Sequence, residues 1–172
     1  MSVQIIVDSS VDVAERFRER LRVVPLIIHF GEEELIDGVT INKEQFYQRL
    51  VESEQLPATS QASPMAFQKI YEEVTQAGDS AVVITLASKL SGTYQSACIA
   101  AEEFDNIYVV DSQTAAIGAG ILTEYALAQA DAGVGARELA ADLERKREDI
   151  YLVALLDTLE YLKRGGRISK TA

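Results

Sequence analysis

The sequence has no tryptophan, one cysteine, one histidine and three prolines among its 172 residues. The lone cysteine, Cys98, excludes an intrachain disulfide framework and fits a reducing cytoplasm. With only His29 and Cys98 to offer, no His/Cys ligand spacing exists, so no metal is expected. There is no run of 18 apolar residues, which argues against a membrane-spanning helix. Met1-Ser2-Val3-Gln4 lacks the basic region that begins a signal peptide. Basic residues are scarce: 16 Lys and Arg face 27 Asp and Glu, a formal charge of −11. That balance counts against nucleic acid or an anionic membrane surface as a main partner. It also repels small anions at long range, so any anion site must work through oriented local donors. Neither a Walker sequence nor a G-x-G-x-x-G after a strand is present, and no cofactor is expected.

What the chain does contain is an ordinary globular composition, 48% apolar and 25% charged, with length enough for a sizeable core. Apolar runs at residues 3–7, 23–30, 81–86, 107–110 and 151–156 read as strands, with a shorter one around 34–36. Helical patterns fill residues 11–20, 42–52, 63–78, 92–104, 115–132, 136–148 and 158–163. Asp8, Ser9 or Ser10 can cap the first of these. Asn42 with Gln45 forms a capping-box pattern, and Ser63-Pro64 supplies a cap and a first-turn proline. Pro25 marks an edge or an irregular start in the second strand. Residues 55–62 read as a loop. Strands alternating with helices predict an α/β fold, a mainly parallel sheet with helices on both faces.

The most informative stretch is Ser88-Lys89-Leu90-Ser91-Gly92-Thr93. It lies between a β-branched strand and a helix and leaves unpaired backbone N–H groups at the helix start, an arrangement that suits an anion. Thr59-Ser60-Gln61-Ala62-Ser63 has the same character one strand earlier, and the two loops are expected to converge on one small anionic group. Asp8-Ser9-Ser10 and Asp111-Ser112 also follow strands, on the rim where parallel α/β sheets bind ligands. Each hydroxyl taken singly is as readily a helix cap or a turn. Ser88-Lys89 invites a nucleophile reading, but no G-x-S-x-G surrounds it. His29 reads as a packed or edge residue in preference to a general base, and Cys98 as core. Lys163-Arg164-Gly165-Gly166-Arg167 reads equally as a phosphate- or carboxylate-binding turn and as a solvated helix end.

Val7-Asp8-Ser9-Ser10, Val24-Pro25-Leu26, Asp37-Gly38-Val39, Thr59-Ser60-Gln61, the segment from Ser88 through Gln95-Ser96-Ala97, Val110-Asp111-Ser112 and the segment from Asp157-Thr158-Leu159 through Arg167-Ile168 together resemble the DegV family in the right order. The resemblance implies the N-terminal domain of a two-domain architecture: residues 1–164 as that domain, and 165–172 as the start of a linker to a second domain. It implies a bacterial, cytoplasmic, non-enzymatic protein that binds a long-chain fatty acid and presents it to a fatty-acid kinase for acyl-phosphate formation. Carried over by motif, Thr59 and Ser91 hold the carboxylate, with Ser60, Gly92 and Thr93 as neighbours, and Arg167 faces the phosphoryl group or the kinase. Val7 and Ala62 depart from the family's frequent Thr and Pro. The alternative function is a small serine-dependent hydrolase or phosphoryl-transfer enzyme using Ser88 or Ser91.

Overall fold

A computed structural model of the chain describes residues 2–53 and 55–168. Four strands form a parallel sheet in the order β2-β1-β6-β7, with β1 Val3–Asp8, β2 Leu21–Val24, β6 Ser80–Thr85 and β7 Ile107–Asp111. Side chains alternate across it. Ile5, Val7, Val82 and Ile84 pack under α5 (Ile117–Asp131) and α6 (Ala136–Lys146), against Leu122, Ala126, Leu139 and Leu143. Ile6, Val24 and Val83 face the other way, onto Phe67, Tyr71 and Val74 of α3 (Pro64–Gln76) and Ala97 and Ala100 of α4 (Thr93–Ala101). The fold is therefore α/β, with a parallel sheet covered on both faces.

A second, antiparallel sheet, β4-β3-β5, stands apart from the first. It comprises β3 Ile27–Phe30, β4 Glu33–Ile36 and β5 Ala58–Ser60. Ile28, Leu35 and Ile41 form its own small core, with Phe30 and Phe46 packed against it. Phe46 comes from α2 (Lys43–Glu52), whose Asn42–Gln45 capping box forms as the spacing predicts. The expected single strand over 23–30 is two strands in different sheets. Pro25 lies between them, and its missing N–H cannot continue a ladder. The expected loop 55–62 contains β5, which borrows its hydrogen bonds from β3.

Three further expectations change. The helix over 11–20 shrinks to α1, Glu15–Arg18, because its expected caps are engaged elsewhere. Asp8 accepts from the Ser10 N–H and hydroxyl, and the Ser9 hydroxyl accepts from the Leu26 N–H. Residues 151–156 form no strand; they run out exposed after a single 3₁₀ turn, Arg147–Asp149. The last helix, α7, is Glu160–Arg164. Residues 169–172 of the expected linker lie outside the described residues. Among the described residues, no helix is long and apolar enough to cross a membrane.

Candidate functional site

The carboxyl ends of β1, β6 and β7 bring Asp8-Ser9-Ser10, the 86–93 loop and Asp111-Ser112 onto one rim, as expected. Most of their polar groups are engaged in holding the rim together. Asp8 is fully buried, and burial pushes its carboxyl up; hydrogen bonds from Ser10 and the Leu86 N–H oppose the shift. The Ser88 hydroxyl donates to Asp111 Oδ2 at 2.6 Å, and Asp111 Oδ1 accepts the Ser88 and Gln113 N–H groups. Ser112 exchanges hydrogen bonds with the Thr114 backbone. The capping and turn-closing reading therefore accounts for Ser9, Ser10, Ser88 and Ser112.

Ser91 and Thr59 are left. Ser91 is half-buried, 2.9 Å from the Thr93 hydroxyl, and accepts from the Thr93 N–H at the mouth of α4. Thr93 itself is fully buried. The amides of Gly92, Tyr94 and Gln95 have no hydrogen-bond partner among the described residues. This helix start consequently presents N–H donors and the positive end of the α4 dipole beside the Ser91 hydroxyl.

Thr59 is exposed on β5, directly opposite Ile28. The chain runs on into α3, but the side chain of Gln61 reaches across to α4. Its Nε2 donates to the buried Ser96 hydroxyl at 2.9 Å. Its amide also lies over Gly92, where a Cβ would stand 1.9 Å from Gln61 Oε1. The Thr59 and Ser91 loops thus meet through Gln61, Gly92 and Ser96. Of these, only Gly92 is a site residue read from the sequence. Gln61 and Ser96 lie 35 positions apart, and no local pattern marks such a pair.

Ser60 points away from this junction. Strand alternation puts it on the face opposite Thr59, where its hydroxyl sits 2.7 Å from His29 Nε2. Glu34 approaches the other ring nitrogen at 3.7 Å, beyond hydrogen-bond length. The chain's one imidazole therefore contacts Ser60, and neither Ser88 nor Ser91 has it as a general base. Arg167 is exposed, and its described hydrogen bonds stay within its own turn, to Gly165 and Leu162 carbonyls.

Cavities of about 440, 710 and 310 Å³ lie elsewhere, and none is lined by Thr59 or Ser91. The first sits at the opposite ends of the strands, with the Arg20–Asp131 ion pair on its wall. None of the three includes the rim at Ser91, which its hydroxyl and amide donors distinguish.

Fold and rim together define a parallel α/β unit with a hydroxyl- and amide-lined helix mouth. The chain belongs to the DegV family, whose sequence profile, described as an uncharacterised DegV family, matches residues 2–172. It is 38% identical over 173 residues to the DegV domain-containing protein TTE1491 of Caldanaerobacter subterraneus, covering 98% of this chain and 61% of that one. Among solved structures it is similar to a fatty-acid-binding DegV family protein of Thermus thermophilus, with TM-score 0.86 and 34% identity over 99% of this chain and 62% of that one. It is also similar to a stearic-acid-binding protein of Eubacterium ventriosum, with TM-score 0.83 and 29% identity over 99% and 61%. The chain spans about three fifths of the length of these relatives.

Proposed function

We propose that this chain is the head-group-binding part of a long-chain fatty-acid carrier. Thr59 and Ser91 donate to the carboxylate, and Gly92 and Thr93 keep the α4 mouth open to it. The bound acid is presented to a fatty-acid kinase, which supplies ATP and the phosphoryl transfer, with acyl phosphate as the product. Arg167 serves the phosphoryl group or the kinase surface. The lone cysteine fits a cytoplasmic setting.

The observation that carries this reading is the Gln61 bridge, which draws the Thr59 strand onto the helix mouth beside Ser91. Long-chain acids bound by structurally similar DegV proteins support the choice of ligand. Burial of the tail dominates affinity: at about 0.8 kcal/mol per methylene, a long chain offers roughly 10 kcal/mol before the costs of binding. The hydroxyls, at about 1.5–3 kcal/mol each toward a charged group, select and orient the head.

The test is organic extraction and mass spectrometry of the purified protein, followed by incubation with a fatty-acid kinase and ATP. A co-purified long-chain acid, turned to acyl phosphate only when the protein is present, is the expected result. Absence of both lipid and protein-dependent product overturns the reading.

A further inference from the structure

The small antiparallel sheet that carries Thr59 is fastened to the rest of the molecule at few points. Among the described residues, every hydrogen bond and ion pair made by residues 27–60 stays within 26–60. Its core, Ile28, Leu35 and Ile41 with Phe30 and Phe46, is likewise its own. The fastenings are the residues just outside its two ends, Leu26 and Gln61. Leu26 packs into the core under α3 and α4, and its N–H donates to Ser9 Oγ at 3.0 Å. Its carbonyl accepts from the Asp37 N–H at 3.0 Å, which ties the end of β4 to the same point. Gln61 donates to Ser96 Oγ at 2.9 Å.

Ser9 follows Asp8 directly, and β1 lies between β2 and β6 in the main sheet. The two side chains therefore serve opposite neighbours. Ser9 holds Leu26, past the end of β2. Asp8, fully buried, accepts the Leu86 N–H at Oδ2 at 2.7 Å, past the end of β6. Each contact leads by a short route to one of the two site hydroxyls. Leu26 opens onto β3, whose Ile28 stands opposite Thr59. Leu86 opens the loop in which the Ala87 carbonyl accepts from the Ser91 N–H at 3.3 Å.

We propose that Asp8 and Ser9 are positioning residues for the carboxylate site. Ser9 sets where Thr59 stands, Asp8 sets where Ser91 stands, and their adjacency fixes the separation of the two hydroxyls. Neither side chain needs to touch the ligand. A hydrogen bond tolerates little error in length, so a shift of about 1 Å at Thr59 forfeits its contact with the head group. The positioning role rests on the fatty-acid reading of that site; the seating of the second sheet by Ser9 does not.

Two experiments on the 172-residue chain test it. The first needs no lipid: amide residual dipolar couplings report how the second sheet is oriented on the first. In Ser9→Ala the couplings within each sheet should fit the parent, but the parental orientation of one sheet on the other should not. Ser9→Thr, which keeps the hydroxyl, should restore it. Couplings in Ser9→Ala that fit the parent throughout overturn the proposal. The second is a double-mutant cycle read by palmitate titration. Ser9→Ala should weaken binding about fivefold in the parent and in Ser91→Ala, but hardly at all in Thr59→Val, where no hydroxyl is left to misplace. Asp8→Asn, which leaves one oxygen for two sets of donors, should show the reverse dependence; equal costs in both backgrounds overturn the Asp8 half of the proposal. If Ser9→Ala costs the same in Thr59→Val as in the parent, its effect is general, and the proposal falls while the fatty-acid reading stands. If Thr59→Val and Ser91→Ala bind palmitate as the parent does, the fatty-acid reading falls and takes the positioning role with it.

Discussion

Gln61 and Gly92 approach so closely that only a hydrogen fits between them. A methyl group on residue 92 would lie 1.9 Å from the Gln61 amide oxygen. The clash is with the end of a flexible side chain, so Gly92→Ala displaces Gln61 instead of unfolding the protein. Its hydrogen bond to Ser96 is then lost, at about 1 kcal/mol. The expected outcome is a small fall in melting temperature with a larger loss of fatty-acid binding. Both are read from one sample by thermal melting and lipid titration. An equally large loss of binding in a variant that melts normally and keeps the Gln61–Ser96 contact would detach this residue from the bridge.

Cys98 should be a slow thiol. Burial pushes its pKa up, and Asp111 adds to the shift while Tyr94 opposes it; Tyr94 is itself pushed up to about 12. Less thiolate at pH 8 means slower alkylation. Iodoacetamide should react several-fold faster with the urea-unfolded chain than with the native one. Equal rates would contradict the burial argument.

Asp79 ties the amino terminus to the turn between α3 and β6. It accepts from the Ser2 N–H at 2.6 Å and from Gln4 Nε2 at 3.0 Å, and the Ser2 bond leads in lowering its pKa to about 2. A carboxyl with a depressed folded pKa stabilises above its unfolded value, near pH 4, and loses that contribution as pH falls toward 2. Asp79→Asn should therefore be less stable than the parent at pH 6, with the gap narrowing between pH 4 and 2. Melting curves across that range decide it; a constant gap would place the loss elsewhere.

Much of this architecture is legible in residue pattern. The alternation within 81–86, the Asn42–Gln45 box and Ser63-Pro64 are local signals, and each specifies its element. Gly133, at φ 84°, ends α5 where the pattern stops. What escapes the pattern depends on distant partners. β5 is three residues, Ala-Thr-Ser, with no alternation of its own, and exists because β3 offers a ladder. Residues 11–14 look helical, yet their expected caps tie the end of β1 to Leu26, between β2 and β3, and to Leu86, just after β6. Residues 151–156 carry a strand's composition yet pair with no strand among the described residues. In the site, the rim position of Ser91 follows from a strand ending before it. The opposition of Thr59 and Ser60 across β5 requires knowing that β5 is a strand.

The claim that Thr59 and Ser91 grip a carboxylate is tested most directly at the carboxylate. Palmitate labelled with ¹³C at C1 is titrated into the parent, Thr59→Val, Ser91→Ala and Ser60→Ala proteins, and its carboxyl resonance is followed by NMR. In the parent and in Ser60→Ala the resonance should shift on binding. In Thr59→Val and Ser91→Ala the shift should be lost or reduced, with affinity falling roughly tenfold to a hundredfold, as about 1.5–3 kcal/mol per hydroxyl requires. An undiminished carboxyl shift and affinity in both Thr59→Val and Ser91→Ala would contradict it.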